Sequence, residues 1–121
     1  MNNYSFIEIR KVVAEWVEHN QVKLKDKNIL VEVLKDTPDC LRISLNFGKC
    51  LAEILIEEPD WAPYRYVYFQ ALGLGITKDA PDFSHFWYDE EGMSIEEIIE
   101  NLDKAINIVW EYNNSHGITS A

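Results

Sequence analysis

Two short acidic segments hold the residues of this 121-residue chain that are best suited to chemistry or binding. The first is Glu57-Glu58-Pro59-Asp60-Trp61 and the second is Asp89-Glu90-Glu91. Paired carboxylates can act as general acid and base, but only where a cleft raises the pKa of one of them. A calcium loop spaces its oxygen ligands along the chain, whereas consecutive carboxylates point in different directions. We therefore predict no catalytic or metal site here, and we interpret residues 89–91 as a solvated acidic turn.

Docking of a basic protein is the function that these segments favour. Trp61 stands among acids in a proline-bounded loop, and tryptophan is a frequent anchor of protein interfaces. The alternative is that Trp61 folds back onto the sheet. The predicted partner-binding residues are Glu57, Glu58, Asp60, Trp61, Asp89, Glu90 and Glu91.

The histidines and cysteines give no catalytic or metal-binding pattern. His19, His85 and His116 show neither HxH nor HExxH spacing. Cys40 and Cys50 are expected at opposite ends of a tight hairpin, too far apart for a disulfide. Two free thiols are typical of a reducing compartment. We expect no metal, no cofactor and no enzymatic activity.

Charge divides the chain into two unlike halves. Residues 51–121 carry fourteen acids against three bases, whereas residues 1–50 carry seven acids against eight bases. An acidic half repels nucleic acid and anionic lipid and attracts basic partners. The apolar runs are far shorter than the roughly 20 residues of a membrane span, and no signal-peptide pattern opens the chain. We therefore expect a cytoplasmic protein that binds neither nucleic acid nor membrane.

Helices are predicted at both ends of the chain. Ser5 with Glu8, and Ser94 with Glu97, form the S-x-x-E pattern of a helix N-terminus. Apolar residues then recur every three to four positions in both segments, which indicates amphipathic helices. The first is expected to run about four turns and end at His19-Asn20, and the second to span residues 94–113.

The segment between the helices predicts an antiparallel sheet. Residues 41–47 alternate apolar and polar side chains, and Gly48-Lys49 can form a two-residue hairpin loop. That register pairs Leu41 with Ile56, Ile43 with Ile54 and Leu45 with Ala52, and it sets Arg42 diagonal to Glu53. Further strands are expected at 29–34, 64–72 and 83–88. The chain is therefore predicted to be a single α+β domain, residues 1–121, with a meandering antiparallel sheet of four to five strands and both helices packed on one face.

The aromatic strands leave their role open. Tyr64, Tyr66 and Tyr68 are expected on one side of their strand, and His85 and Trp87 share a side of the next. Ordinary packing between sheet and helices is the main interpretation, and an exposed patch for a protein partner is the alternative. A pocket for a small ligand would require Tyr66, Tyr68, His85 and Trp87 to line one cavity.

The hairpin Leu41-Arg-Ile-Ser-Leu-Asn-Phe-Gly-Lys-Cys-Leu-Ala-Glu-Ile-Leu-Ile-Glu-Glu58 resembles that of the small immunity proteins of bacterial polymorphic toxin systems, the tRiTu-like group. The similarity extends over residues 40–113, with an aromatic strand and an acidic final helix after the hairpin. The chain differs from that group in its long 73–82 loop and in having Glu57 where the group has tryptophan. The resemblance implies a cytoplasmic, non-enzymatic protein that neutralises a cognate toxin by binding it.

Three functions follow as hypotheses. The first is an immunity protein whose acidic, aromatic-containing surface binds a basic toxin domain, with a nuclease as the candidate toxin. The second is a structural or interaction subunit that forms a homodimer through its sheet. The third is a small ligand-binding domain with an aromatic pocket.

Overall fold

The structure is a computed structural model that describes residues 3–58, 65–73 and 84–115. Its elements are α1 (Phe6–Asp26), β1 (Leu30–Thr37), β2 (Cys40–Asn46), β3 (Cys50–Glu57), β4 (Val67–Gly73), β5 (Ser84–Tyr88) and α2 (Ile95–Ser115). The five strands form one antiparallel sheet in chain order, β1 to β5. The predicted α+β fold with a meandering sheet is confirmed.

The β2–β3 hairpin has the predicted register. Leu41 pairs with Ile56, Ile43 with Ile54 and Leu45 with Ala52. Gly48 has φ +104°, a backbone conformation that favours glycine, and Phe47 N–H donates to the Cys50 carbonyl at 2.9 Å across the loop. A one-residue slip would move every apolar side chain of the hairpin to the opposite face, so this pattern fixes the pairing.

One side of the sheet, the covered face, packs against both helices. Alternate residues of the three central strands are buried there: Ile43, Leu45, Ala52, Ile54, Ile56, Val67, Phe69 and Ala71. They form one hydrophobic cluster with Ile9 and Val13 of α1 and with Ile98 and Leu102 of α2. The prediction that both helices pack on one face is thereby confirmed.

The other side, the open face, carries the intervening residues. Its side chains include Leu34, Lys35, Arg42, Ser44, Leu51, Glu53, Leu55, Tyr68, Gln70, Leu72, Phe86 and Tyr88. Arg42 donates to both carboxylate oxygens of Glu53, at 2.8 and 3.0 Å, which confirms the predicted ion pair. Leu51, Leu72 and Phe86 are exposed on this face although they are apolar.

Helix α1 is longer than predicted. It continues past His19-Asn20 to Asp26, so the predicted end is wrong. Asn20 does not break the helix because its side-chain amide donates to the Trp16 carbonyl at 2.7 Å. Leu24 extends the buried stripe by two further turns. The helix ends where Asn28 takes a left-handed backbone conformation, with φ +63°.

The two helices run side by side in the same direction. Asn3, just before α1, donates to the Gly92 carbonyl just before α2, at 3.0 Å. In the middle of the helices, the Trp16 indole donates to the Asp103 carboxylate at 3.1 Å. Beyond the last turn of α1, the Lys27 ammonium lies 4.8 Å from the ring centre of Trp110 in α2. Both helix N-termini therefore lie at the same end of the molecule.

Candidate functional site

The sheet topology brings the two acidic segments to the same end of the molecule. Strands β3 and β5 flank β4 and run in the same direction, because neighbouring strands are antiparallel. Glu57 N–H donates to the Tyr66 carbonyl at 3.0 Å, and Asp89 N–H donates to the Val67 carbonyl at 3.2 Å. Both segments thus flank the start of β4. We call this region the acidic end, defined by Glu57, Glu58, Glu90 and Glu91.

Helix N-termini add further carboxylates close to the acidic end. Glu8 accepts from Ser5 N–H at 3.1 Å, and Ser5 Oγ accepts from Glu8 N–H at 3.1 Å, which completes the predicted capping box of α1. Ser94 and Glu97 exchange the equivalent bonds at the start of α2. Carboxylates in a first helical turn are stabilised by the helix dipole. The carboxylates of Glu8 and Glu97 therefore have a structural role, the capping of the two helices.

Four lysines lie toward the opposite end of the molecule. Lys23 and Lys25 occupy the last turn of α1, and Lys27 follows it directly. Lys49 lies in the β2–β3 loop, where its N–H donates to Asn113 Oδ1 near the end of α2, at 2.7 Å. These lysines are thus remote from the acidic end, whereas Arg65 precedes β4 beside it.

Asp89 does not belong to the exposed acidic surface. Its side chain is 0% exposed, so the prediction of a solvated turn at 89–91 is wrong for this residue. It accepts a hydrogen bond from the Tyr4 hydroxyl, one from Val67 N–H at 2.9 Å and one from Tyr66 N–H at 3.2 Å. Asp89 therefore joins the N-terminal segment to the start of β4 and is inaccessible to a partner.

Burial governs the ionisation of this cluster. Burial raises the pKa of Asp89, although the hydrogen bonds from Tyr4 and the two backbone N–H groups act in the opposite direction. The pKa of the Tyr4 hydroxyl is also raised, first by burial and then by its hydrogen bond to Asp89. The pKa of Tyr66 is raised by burial and by the charges of Glu58 and Asp89, which is consistent with the position of Tyr66 between the two segments.

The other predicted partner-binding residues differ in accessibility. Glu58, Glu90 and Glu91 are exposed, and Glu57 is half-buried. Asp60 and Trp61 lie outside the described residues. Four of the seven predicted residues thus come together at one accessible end, and Asp89 is the one that folding withdraws from the surface.

The aromatic strand residues divide between the two sides of the sheet. His85 and Trp87 are paired with Ala71 and Phe69 of the covered face, and the His85 ring contacts Phe69. Tyr68 lies on the open face. Tyr66 contacts the rings of Tyr4 and Phe6 instead. The four side chains predicted to line one pocket therefore do not share a cavity.

Sequence reasoning missed Phe86 as a surface residue. Phe86 lies between His85 and Trp87 in the strand, and successive side chains of a strand point to opposite faces. Phe86 is therefore expected on the opposite side from His85 and Trp87. In the structure Phe86 is 62% exposed on the open face. Tyr68 and Tyr88 lie one row away, with ring centres 5.9 Å apart. An aromatic surface therefore adjoins the acidic end.

The thiols and other potential ligands form no site in the described part of the chain. Cys40 and Cys50 are buried and free. Cys40 pairs with Glu57, at the far end of β3 from Cys50. Among residues 3–58, 65–73 and 84–115, no three His, Cys, Asp or Glu side chains are arranged to hold a metal ion. No helix in these ranges is long and apolar enough to cross a membrane.

Comparisons of the chain with protein-family models, with curated proteins and with solved structures found no match. The resemblance to immunity proteins therefore remains a prediction from the sequence.

Proposed function

We propose that this protein is an immunity-type binding protein that neutralises a cognate basic toxin domain through its acidic end. The observation that supports the proposal is the meeting of two acidic segments, far apart in the chain, at one end of the sheet. Three of the four carboxylates that define this end, Glu58, Glu90 and Glu91, are exposed. The resemblance of residues 40–113 to immunity proteins supports the same function.

Electrostatics supplies a mechanism for such binding. The chain carries a formal net charge of −10, and the lysines near the ends of α1 and β2 lie away from the acidic end. A basic surface is therefore steered toward the end where Glu58 and Glu90 are exposed, and steering of this kind raises association rates by about 10- to 1,000-fold. If the toxin is a nuclease, the carboxylates of the acidic end would enter the nuclease active site. There they would occupy the positions of the substrate phosphates and exclude nucleic acid.

The test uses the protein encoded beside the gene for this chain, which the proposal expects to contain a basic toxin domain. Glu57, Glu58, Glu90 and Glu91 are changed together to Gln. A control changes Glu15, Glu18, Glu32 and Glu100 to Gln, which alters the net charge equally at exposed positions elsewhere. Asp89 stays unchanged because it is buried.

The association rate at low salt should fall by about tenfold or more in the acidic-end variant, and by much less in the control. Growth protection of cells that express the toxin domain should weaken in parallel. Equal losses in the two variants would mean that net charge acts without a defined site. A neighbouring toxin domain that the wild-type protein neither binds nor inhibits would contradict the proposal.

Self-association through the open face is the second candidate function. Leu34, Leu51 and Leu72 line a groove of about 480 Å³ on this face, and all three are exposed. Repulsion between two copies with a net charge of −10 opposes such a dimer. Sedimentation equilibrium over a range of salt concentrations tests it. A dimer that dissociates on the substitution Leu51→Lys would support this function, and a monomer at all concentrations would exclude it.

A further inference from the structure

The part of the open face nearest the acidic end is aromatic. Tyr68 of β4 pairs with Tyr88 of β5, and Phe86 lies one row further from the acidic end. Phe86 is 62% exposed, and the two tyrosines are half-buried. The faces of aromatic rings attract cations, and the planar guanidinium group of arginine can stack on a ring.

The same surface already holds one guanidinium group. The Arg65 Cζ atom lies 4.0 Å from the ring centre of Tyr88. Arg65 precedes β4, between the segments that contribute Glu58 and Glu90. One ring of this row, Tyr88, is thus already paired with a cation of the same chain.

Carboxylates lie within electrostatic reach of the row. Burial is the main cause that raises the pKa of Tyr68; the charge of Arg65 lowers it, and the charges of Asp89 and Glu57 raise it less strongly. Rings and carboxylates together offer a guanidinium group both stacking and paired hydrogen bonds. An ammonium group is a compact point charge that gains less from a flat ring and a two-oxygen acceptor.

The remaining part of the open face disfavours a cation. Arg42 lies on β2 and Lys35 on β1, in the same row as Tyr68 and Tyr88. Arg42 already occupies the Glu53 carboxylate with two hydrogen bonds. In the β4–β5 half the Arg65 guanidinium lies over Tyr88, so Tyr68 and Phe86 are the rings that remain for a guanidinium group of a partner.

We propose that the β4–β5 half of the open face and the adjoining acidic end bind arginine side chains of a basic partner in preference to lysine side chains. Tyr68 and Phe86 supply the stacking surface, and Glu58 and Glu90 supply the carboxylates. This inference rests on the proposed binding of a basic partner and adds the chemistry by which that partner is selected.

The experiment compares two peptides of equal charge, nona-arginine and nona-lysine, by isothermal titration calorimetry with the full chain. The wild-type protein should bind nona-arginine roughly fivefold more tightly than nona-lysine, the difference expected from stacking on two partly exposed rings. Added salt should weaken the binding of both peptides.

Two sets of variants locate the preference. The double variant Tyr68→Leu/Phe86→Leu should bind the two peptides equally, whereas the matched control Leu51→Ala/Leu72→Ala, on the same face, should keep the fivefold difference. Neutralising Glu58 and Glu90 should weaken the binding of both peptides. Circular dichroism and thermal unfolding establish that each variant is folded before titration.

The outcomes separate this inference from the proposed function. Equal affinity of the wild-type protein for both peptides, or binding of neither, overturns the arginine preference and leaves the toxin-domain experiment to decide the proposed function. A preference that survives in Tyr68→Leu/Phe86→Leu overturns the assigned surface. A preference lost only in that variant supports it.

Discussion

The two faces of the sheet are built by the same alternation of side chains but differ in what covers them. Phe69 and Phe86 occupy adjoining strands in neighbouring registers, and their exposed fractions are 0% and 62%. The covered face finds its partner in two helices of the same chain. The open face displays Leu51, Leu72 and Phe86 to its surroundings. The covered face is uniformly apolar in the central strands, whereas the open face mixes charged, polar and apolar side chains.

This difference separates residues that hold the fold from residues available for binding. Burying a large apolar side chain contributes about 1.5–3 kcal/mol, and deleting it from a packed core costs more because a cavity remains. The same deletion on an exposed surface leaves no cavity. Substitutions on the two faces should accordingly differ sharply in their effect on stability.

Phe69→Ala should give the largest effect. Phe69 is among the largest fully buried side chains, and its truncation should lower the free energy of unfolding by about 3–5 kcal/mol. Urea denaturation followed by tryptophan fluorescence measures the loss. A loss below about 1 kcal/mol would mean that the two faces do not differ as described.

Asp89→Ala should have the next largest effect, although Asp89 belongs to the most acidic part of the sequence. The substitution removes the acceptor of the Tyr4 hydroxyl and of two backbone N–H groups. Each buried donor left without an acceptor costs about 1–3 kcal/mol; two of the three donors are buried and the Tyr66 N–H is only partly buried, so a total loss of about 3 kcal/mol is expected. Glu90→Ala, at the exposed neighbouring position, is the matched control and should change stability by less than about 0.5 kcal/mol.

The pH dependence of stability gives a second test of Asp89. The pKa of Asp89 is raised in the folded state, so binding of a proton to its carboxylate stabilises the folded state. This stabilisation is complete below the pKa of the unfolded state, about 3.9. That contribution is lost as pH rises through the folded pKa. The stability of the wild-type protein relative to Asp89→Asn should therefore fall as pH increases above about 4. A relative stability that rises over this range would show that the hydrogen bonds outweigh burial.

Loss of a helix cap should lower the free energy of unfolding by a smaller amount. It destabilises a helix that packs on the covered face, but it leaves no cavity in the core. Ser5→Ala and Ser94→Ala should each cost about 1 kcal/mol, since each removes the acceptor for an N–H of the first turn. Thermal unfolding of the two single variants and of the double variant measures the effects. Replacement by Asp instead of Ala should restore most of the stability.

Phe86→Ala should have the smallest effect on stability, within about 0.5 kcal/mol of the wild-type protein. Phe86 and Phe69 are both phenylalanines, one exposed and one buried, so their substitutions compare the two faces directly. Urea denaturation under identical conditions measures both. A cost of several kcal/mol for Phe86→Ala would mean that this surface is covered in solution.

Local signals in the sequence were enough to predict the hairpin and both helix starts. The register of β2 with β3 follows from the alternation around Gly48, and the caps follow from Ser5 with Glu8 and Ser94 with Glu97. Each of these features depends on residues close together in the chain. The end of α1 was not predicted, because the amide of Asn20 bonds within the helix instead of ending it.

Properties that depend on distant residues were not predictable from the sequence. Asp89 and Glu90 are adjacent acids, and nothing in the pattern distinguishes the buried one from the exposed one. The distinction depends on Tyr4, 85 positions away, and on β4 beginning at Val67, whose N–H donates to Asp89. The meeting of the acidic segments at one end likewise depends on the antiparallel order of three strands.

The order of the strands has a consequence for how fast the domain forms. Every pairing in the sheet joins strands that are consecutive in the chain, so the sheet can grow one hairpin at a time. Folds dominated by such local pairings tend to fold faster than folds that must join distant strands. The contact between α1 and α2 is the exception, because it joins the two ends of the chain and closes a loop that contains the whole sheet.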